Sequence, residues 1–332
     1  MPAYKVLHRQ EFHLGRYSLV PLRREDRLSI MRWRNEQLYH LRQQRPLTQE
    51  DQDRYFDTVV AGLYTAQQPD QLLFSYLEDG VCIGYGGLVH ISWADSRAEV
   101  SFVMDTAREA AEFGLHWTNY LTMLRDIAFG QLQLHKLYTY AFDLRPHLYP
   151  VLEAAGFKKE AVLKDHCRFE GRFRDVIIHA LYAYDIVSYP DCTREQLLEL
   201  LSLRNRPEIR ALMVTGEEIS LENHLAFVER LKGNPDRLYY AVYQAGRLLG
   251  SWNLTRGENG IWDRGLIAVP EFQGSGETAR WDRQLLNALP PEVKAVSAKV
   301  KPDNARSRRY HEKMGFREQS RDAGYIHYLL QL

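Results

Sequence analysis

The stretch Ile267-Ala268-Val269-Pro270-Glu271-Phe272-Gln273-Gly274-Ser275-Gly276-Glu277-Thr278 reads as a strand that runs through a glycine-rich turn into a helix. That order leaves backbone N–H groups unpaired at the positive end of the helix dipole, where a pyrophosphate or similar anion binds. Glycines at 274 and 276 let the backbone approach the anion with no Cβ in between. The plain alternative is a strand-to-helix turn without a ligand. A second polar stretch, Val300-Lys301-Pro302-Asp303-Asn304 followed by Ala305 to Lys313 and Met314-Gly315-Phe316, reads as a strand end, a turn, a short helix and a glycine cap. Asn304 can donate and accept at once, which suits an amide-rich cofactor arm. Tyr310, six residues later, projects toward a strand gap or, on the plainer reading, packs on the sheet. Asp263, on the strand leading to the glycine turn, is a carboxylate placed to take a proton, unless it is an ordinary surface residue.

The elements that must position these groups occur twice. Ile30-Met31-Arg32-Trp33-Arg34-Asn35-Glu36, then Leu47-Thr48 and a helix carrying Tyr55, Phe56, Val59 and Val60, is echoed by Leu203-Arg204-Asn205-Arg206-Pro207-Glu208, then Ile219-Ser220 and a helix carrying Leu225, Phe227, Val228 and Leu231. Thr48 and Ser220 stand at N-cap positions. Three strands follow in each half: Leu72 to Leu77, Val81 to Ile91 and Arg97 to Met104 in the first, Leu238 to Tyr243, Arg247 to Thr255 and Ile261 to Val269 in the second. Asp79-Gly80, Ala245-Gly246 and Asn259-Gly260 supply turns between them. A helix (Trp117 to Phe129; Thr278 to Ala288), a strand (Lys136 to Ala141; Ala295 to Val300) and a short helix ending in Gly-Phe (Gly156-Phe157; Gly315-Phe316) complete each half, and Val176 to Tyr184 closes the first with a further strand. The expected fold class is α/β (α+β), two tandem domains of a mostly antiparallel mixed sheet flanked by helices, with residues 1–187 in one and 188–332 in the other. Thr193-Arg194-Glu195-Gln196 has capping-box spacing and opens the first helix of the second domain.

Composition narrows the partners. Lys+Arg and Asp+Glu are both 43, so no long-range field draws nucleic acid or an anionic membrane, and an anionic ligand needs a local site. Cys82, Cys167 and Cys192 fit neither a zinc site nor a disulfide framework, so no metal is expected and the cytoplasm is the expected compartment. No run of 18 apolar residues and no apolar N-terminal segment point to a membrane or to export.

From about Cys192 to Leu332 the chain resembles the GNAT N-acetyltransferases, and within them the branch of the pseudaminic-acid pathway that acetylates a 4-amino nucleotide sugar. The resemblance rests on Leu203-Arg204-Asn205, Ile219 to Leu231, Gly265-Leu266, Val269-Pro270 to Gly276, and Asp303-Asn304 to Phe316. It implies acetyl-CoA (coenzyme A) as cofactor, with the pyrophosphate on Gln273, Gly274, Ser275, Gly276 and Glu277. It implies pantetheine between two splayed parallel strands, paired with the backbone of Leu266, Ile267 and Ala268 as an added strand would be. It also implies cofactor contact by Asn304, and Tyr310 as the acid that protonates the leaving thiolate. The family's loop opens with Gln or Arg where this chain has Glu271, which is expected to point away. Arg204, Asn205 and His224 come from segments that roof the acceptor site in this fold, where they would meet a nucleotide-sugar diphosphate or an acidic peptide; solvated helix-end residues are the alternative.

The first half resembles GNAT domains too, in particular the group that includes ribosomal-protein N-terminal acetyltransferases, through Arg34-Asn35-Glu36, Gly84-Tyr85-Gly86-Gly87, Glu99-Val100-Ser101-Phe102 and Gly156-Phe157. Its cofactor motif is eroded. Arg108 to Gly114 holds one glycine, Arg145 falls where Asn304 stands and Val151 where Tyr310 stands, while Glu99 matches Asp263 and Tyr149 lies two residues from the tyrosine position. Arg145 retains a guanidinium for phosphate; Val151 has no proton to give. The expected activity is acetyl transfer to a primary amine on a small molecule, such as a nucleotide-linked amino sugar, or on a peptide or protein N-terminus, carried by the second half. A non-catalytic acyl-CoA-binding module is the reading from a different class.

Overall fold

A computed structural model describes every residue except 1, 42, 214, 245, 258, 259 and 275. The expected turn residues Ala245 and Asn259 and the expected cofactor residue Ser275 lie outside the described residues. The chain divides into two compact units, Met1–Ala183 and Tyr184–Leu332. Among the described residues no helix is long and apolar enough to cross a membrane.

In the first unit β1 (Phe12–Leu14) and β2 (Tyr17–Pro21) precede α1 (Arg27–Glu36), α2 (Gln49–Tyr55) and α3 (Ala61–Thr65). Next come β3 (Leu72–Glu78), β4 (Val81–Ser92), β5 (Arg97–Met104), α4 (Thr106–Arg125), β6 (Lys136–Phe142), α5 (Leu148–Ala154), β7 (Lys158–Phe169) and β8 (Arg172–Tyr182). The sheet order is β1-β2-β3-β4-β5-β6-β8-β7. The second unit runs β9 (Asp185–Ser188), α6 (Arg194–Asn205), α7 (Pro207–Arg210), α8 (Leu221–Glu229), β10 (Arg237–Gln244), β11 (Arg247–Arg256) and β12 (Ile261–Ala268). It finishes with α9 (Glu277–Asn287), β13 (Ala295–Val300), α10 (Ala305–Lys313), β14 (Arg317–Arg321) and β15 (Ile326–Gln331), in the order β14-β15-β13-β12-β11-β10-β9. Asp185–Ser188, around the expected boundary between 187 and 188, forms β9 and pairs with β10 from Asp185 onward.

Local chemistry starts the helices where expected. Thr48 and Thr193 form reciprocal capping boxes with Asp51 and Gln196, and the Ser220 hydroxyl accepts from the Asn223 amide. The cores are aromatic: Phe102 stacks on Tyr120 at 3.9 Å in the first unit, and Trp252, Trp281 and Tyr328 are fully buried in the second.

One feature of topology decides where a ligand can go. β12 pairs with β11 along its length but with β13 only through Ile261–Ala295, Trp262–Val296 and Asp263–Ser297, after which the two parallel strands part. The first unit parts at the same register: β5 pairs with β6 only through Arg97–Lys136, Ala98–Leu137 and Glu99–Tyr138. Glu99 and Asp263 are therefore equivalent, each the last paired residue before the split.

Candidate active site

From Arg264 to Ala268 the edge of β12 that faces β13 has no strand partner. This is the edge expected to meet pantetheine, and an extended arm carrying amides can pair with it as a strand does. At its far end the Gln273 amide nitrogen lies 3.2 Å from the Ala268 carbonyl oxygen and donates to it.

The chain then makes a short 3-10 turn, Pro270–Phe272, and enters α9 through Gly276. Gly276 is the N-cap at φ +86°, a left-handed conformation that side chains disfavour, and a glycine offers no capping side chain of its own. A Cβ added there would meet nothing within 4 Å, so the glycine answers a conformational need and leaves open space before the first amides. Gly274 is likewise left-handed, at φ +90°. A helix of eleven residues that opens on glycine suits a phosphate. Glu271 is turned elsewhere: its carboxylate takes both oxygens to Arg206 Nη1 at 3.0 Å. The Glu277 side chain accepts from the Tyr184 hydroxyl at 2.8 Å and from Arg280 at 2.6 Å.

Asn304 is the N-cap of α10, its side-chain oxygen accepting from the Ser307 amide at 3.0 Å. Tyr310 donates its hydroxyl proton to Asp282 Oδ2 at 2.6 Å. Asp282 is completely buried and also accepts from Trp252 Nε1 at 2.8 Å and from Arg264, whose side chain is 1% exposed. Arg264 in turn donates to His311 Nε2 at 2.6 Å, and His311 Nδ1 lies 2.7 Å from the Ser307 carbonyl oxygen, which fixes a neutral ring protonated on Nδ1. Burial, and then the Asp282 carboxylate, hold the Tyr310 phenol well above its ordinary range. Burial and Arg264 push His311 down to about 4. The sequence carried a signal for this network that reading by motif passes over. Arg264 shares the inward face of β12 with Trp262, and Asp282 follows the buried Trp281 on α9: two opposite charges on two inward faces.

Asp263 is exposed at the split, with Ser297 Oγ donating to its Oδ1. Its neighbour Arg264 faces the side covered by α9 and α10, so Asp263 faces the opposite side of the sheet.

The three residues expected at the acceptor roof are used differently. The Asn205 side chain donates to the Ile219 carbonyl at 2.8 Å and accepts from the Ile219 amide at 2.9 Å, clamping the chain before α8. Asn35 does the same to Leu47 in the first unit, at 2.9 and 2.7 Å. Arg204 Nη2 donates to the Thr215 carbonyl at 2.6 Å. His224 is 6% exposed among the core residues beside Tyr189, and burial depresses its basicity. The Asn205 amide is thus engaged within the fold, and His224 Nε2 is buried with no hydrogen-bond partner among the described residues.

The first unit closes the corresponding anion site with its own side chains. Asp105, the N-cap of α4, accepts from the Ala107 and Arg108 amides at 3.0 and 3.3 Å, and a carboxylate there repels a phosphate. The helix is kinked at Glu112 (φ −134°, ψ 28°), eight residues past the end of β5, as Gly276 is past the end of β12. Arg145 pairs with Glu109 at 3.1 Å with both side chains largely buried, so the guanidinium expected to take phosphate is already taken. Tyr149 donates to Asp143 at 2.8 Å and stacks on His179, and Val151 packs toward Gly114.

Residues 19–178 match a family model described as an acetyltransferase (GNAT) domain, and residues 192–317 match a second model with the same description. Acetyltransferase PseH of Campylobacter jejuni serotype O:2 is 21% identical over 144 residues, covering 43% of this chain and 91% of that protein. PseH of serotype O:23/36 is 22% identical over 150 residues, with the same coverage. Among solved structures, spermidine N-acetyltransferase from Vibrio cholerae in complex with CoA and spermine aligns at 18% identity and a TM-score of 0.46, over 51% of this chain and 96% of that one. The Campylobacter jejuni N-acetyltransferase PseH aligns at 16% and 0.36, over 45% and 98%. With both halves matched and both sheets parting at one register, the chain belongs to the GNAT acetyltransferases as a tandem of two such domains, an N-acetyltransferase whose acetyl donor is acetyl-CoA.

Proposed function

We propose that the second domain carries out acetyl transfer to a primary amine and that the first does not. The observation that carries this is the contrast at the two helix starts: the N-cap of α9 is Gly276, which brings no charge, whereas that of α4 is the Asp105 carboxylate. When bound, acetyl-CoA supplies an acetyl group activated as a thioester. The backbone of Gly274 and Gly276 at the start of α9 holds its pyrophosphate, and the open edge of β12 from Leu266 to Ala268 aligns its amide arm. Asp263 Oδ2, left over from the bond to Ser297, accepts the proton of the incoming ammonium group. Tyr310 Oη is the proton donor for the departing sulfur; it gives up its bond to Asp282 to do so, and the raised affinity of the phenol for its proton keeps it loaded at neutral pH.

For the acceptor we infer an amino group on a nucleotide-linked sugar. Its support is the resemblance of the second half to the pseudaminic-acid-pathway branch, beside the likeness to PseH. The resemblance of the first half to ribosomal-protein N-terminal acetyltransferases is read as one of fold, since its phosphate and tyrosine positions are filled by Asp105, Glu109 and Val151. The free cysteines 82, 167 and 192 support a cytoplasmic setting.

Calorimetry of coenzyme A with the full chain tests the working copy: one site per chain is expected, lost in Gly276→Pro. Two sites, or binding unaffected by Gly276→Pro, would refute it. Free-thiol release with nucleotide amino sugars, peptide N-termini and small amines tests the acceptor, and a higher kcat/KM for a peptide or simple amine would replace the sugar.

A further inference from the structure

The loop before α9 has lost the side chain that would reach a phosphate. Position 271 holds a glutamate, and it is locked to Arg206. The structure brings a different cation to the same place. Arg306, in the first turn of α10, reaches across to the loop, where its Nη1 donates to Gln273 Oε1 at 2.5 Å. Its Nη2 stands 3.8 Å from where a Cβ on Gly274 would sit. Among the described residues no carboxylate pairs with Arg306, so the guanidinium is held in place by a neutral amide and keeps its charge and four N–H donors for another group.

We infer that Arg306 is the phosphate clamp of this enzyme: its guanidinium binds the pyrophosphate of coenzyme A opposite the backbone of Gly274 and Gly276, replacing from α10 the contact that Glu271 cannot make. The inference rests on the second domain being the cofactor site. Gln273 has two parts in it. Its amide nitrogen is fixed by the Ala268 carbonyl, which turns the amide oxygen toward Arg306 and aims the guanidinium over the glycine turn. A neutral side chain is needed for that. In the first unit the residue five places past the strand end is Glu109 instead of Gln273, and there the nearby arginine, Arg145, is neutralised by it. The two units thus show the same corner of the fold with its cation free and with its cation consumed.

Arg306 is exposed and sits on the outer side of a helix turn, so Arg306→Gln leaves the core untouched. Calorimetric titration of the full chain with coenzyme A, dephospho-coenzyme A and acetyl-pantetheine separates the contributions. Arg306→Gln is expected to weaken coenzyme A and dephospho-coenzyme A about tenfold each, the size of one charge-assisted bond to phosphate at a solvated site, and to leave acetyl-pantetheine unchanged. Unaltered binding of coenzyme A overturns the clamp. An effect confined to coenzyme A moves the arginine to the 3′-phosphate and overturns the pyrophosphate assignment. Equal weakening of all three makes Arg306 a structural residue and overturns it as well. If Gly276→Pro binds like wild type, the second-domain site itself is wrong, an outcome distinct from failure of Arg306 alone.

Discussion

Replacing Asp282 by asparagine is expected to be among the most costly single-atom-scale changes in the second unit. The carboxylate is completely buried and receives Trp252 Nε1, the Tyr310 hydroxyl and Arg264. Asparagine keeps one acceptor oxygen and turns the other into an NH2 group, which then faces a donor. Arg264 is left with His311 Nε2 as its single side-chain acceptor, and its Nε already has no partner. Breaking a buried pair from one side strands a charge and costs about 3–5 kcal/mol. The lost bond from Tyr310 overlaps with that figure rather than adding to it, because the three donors share one carboxylate. With a urea m-value of about 2 kcal/mol/M, the transition of the second unit should move down by roughly 2 M while that of the first stays in place. Tryptophans in both units, Trp33 and Trp117 in one and Trp252 and Trp281 in the other, report the two transitions. A shift under about 0.5 M would mean that the network is solvated, and the account of Tyr310 as held by Asp282 would fall with it. The double change Arg264→Met with Asp282→Leu should cost far less than the sum of its parts, since it removes both charges together.

Acid should weaken both units for a reason visible in two histidines. His311 is pushed down to about 4 and His40 to about 3, each mainly by burial, so the unfolded chain takes up protons near 6.5 that the folded chain refuses. Their contribution is present in full above about 6.5 and is lost as pH falls toward those lower values; His311→Gln, which keeps an acceptor for Arg264, should flatten the slope of the second unit's urea midpoint between pH 7.5 and pH 5, and an unchanged slope would refute this. Asn35→Ala and Asn205→Ala should each cost about 1–3 kcal/mol in their own unit without changing the acceptor KM. A raised KM at unchanged stability in Asn205→Ala would restore the acceptor-facing role.

Strands with one buried face were legible to the residue: Arg97–Met104 and Ala295–Val300 fall where alternation and turn signals put them. β14 and most of β7 were not, because their residues are exposed on both faces and no period of two is written into Arg317-Glu318-Gln319-Ser320-Arg321. At the site, the glycine turn was readable because left-handed backbone at 274 and 276 demands glycine. The bond of Asn205 to Ile219 was not legible, because a polar residue at a helix end looks the same whether it binds a ligand or the next loop. The clue lay in the repetition: Asn35 and Asn205 persist in both halves while the cofactor positions diverge, which marks a part the fold itself requires. Arg306 and the Arg264–Asp282 pair depend on contacts between α10, α9 and β12, and no local pattern encodes those distances.

The early parting of β12 from β13 also bears on stiffness. Each sheet is two half-sheets joined along three residue pairs at one end, like a book held by a short spine. In the second unit the proposed arm along β12 would bind the pages together, so ligand occupancy should damp their opening and slow amide exchange along both β12 and β13, well beyond the atoms touched. The first unit is furnished differently at the same place. There the Gln37 side chain, fully buried and donating to the Met104 carbonyl at 2.7 Å, caps the end of β5, and the stacked Phe102 and Tyr120 weight the open side. If only the second unit takes the acetyl donor, as proposed, amide exchange along β5 and β6 should be the same with and without acetyl-CoA.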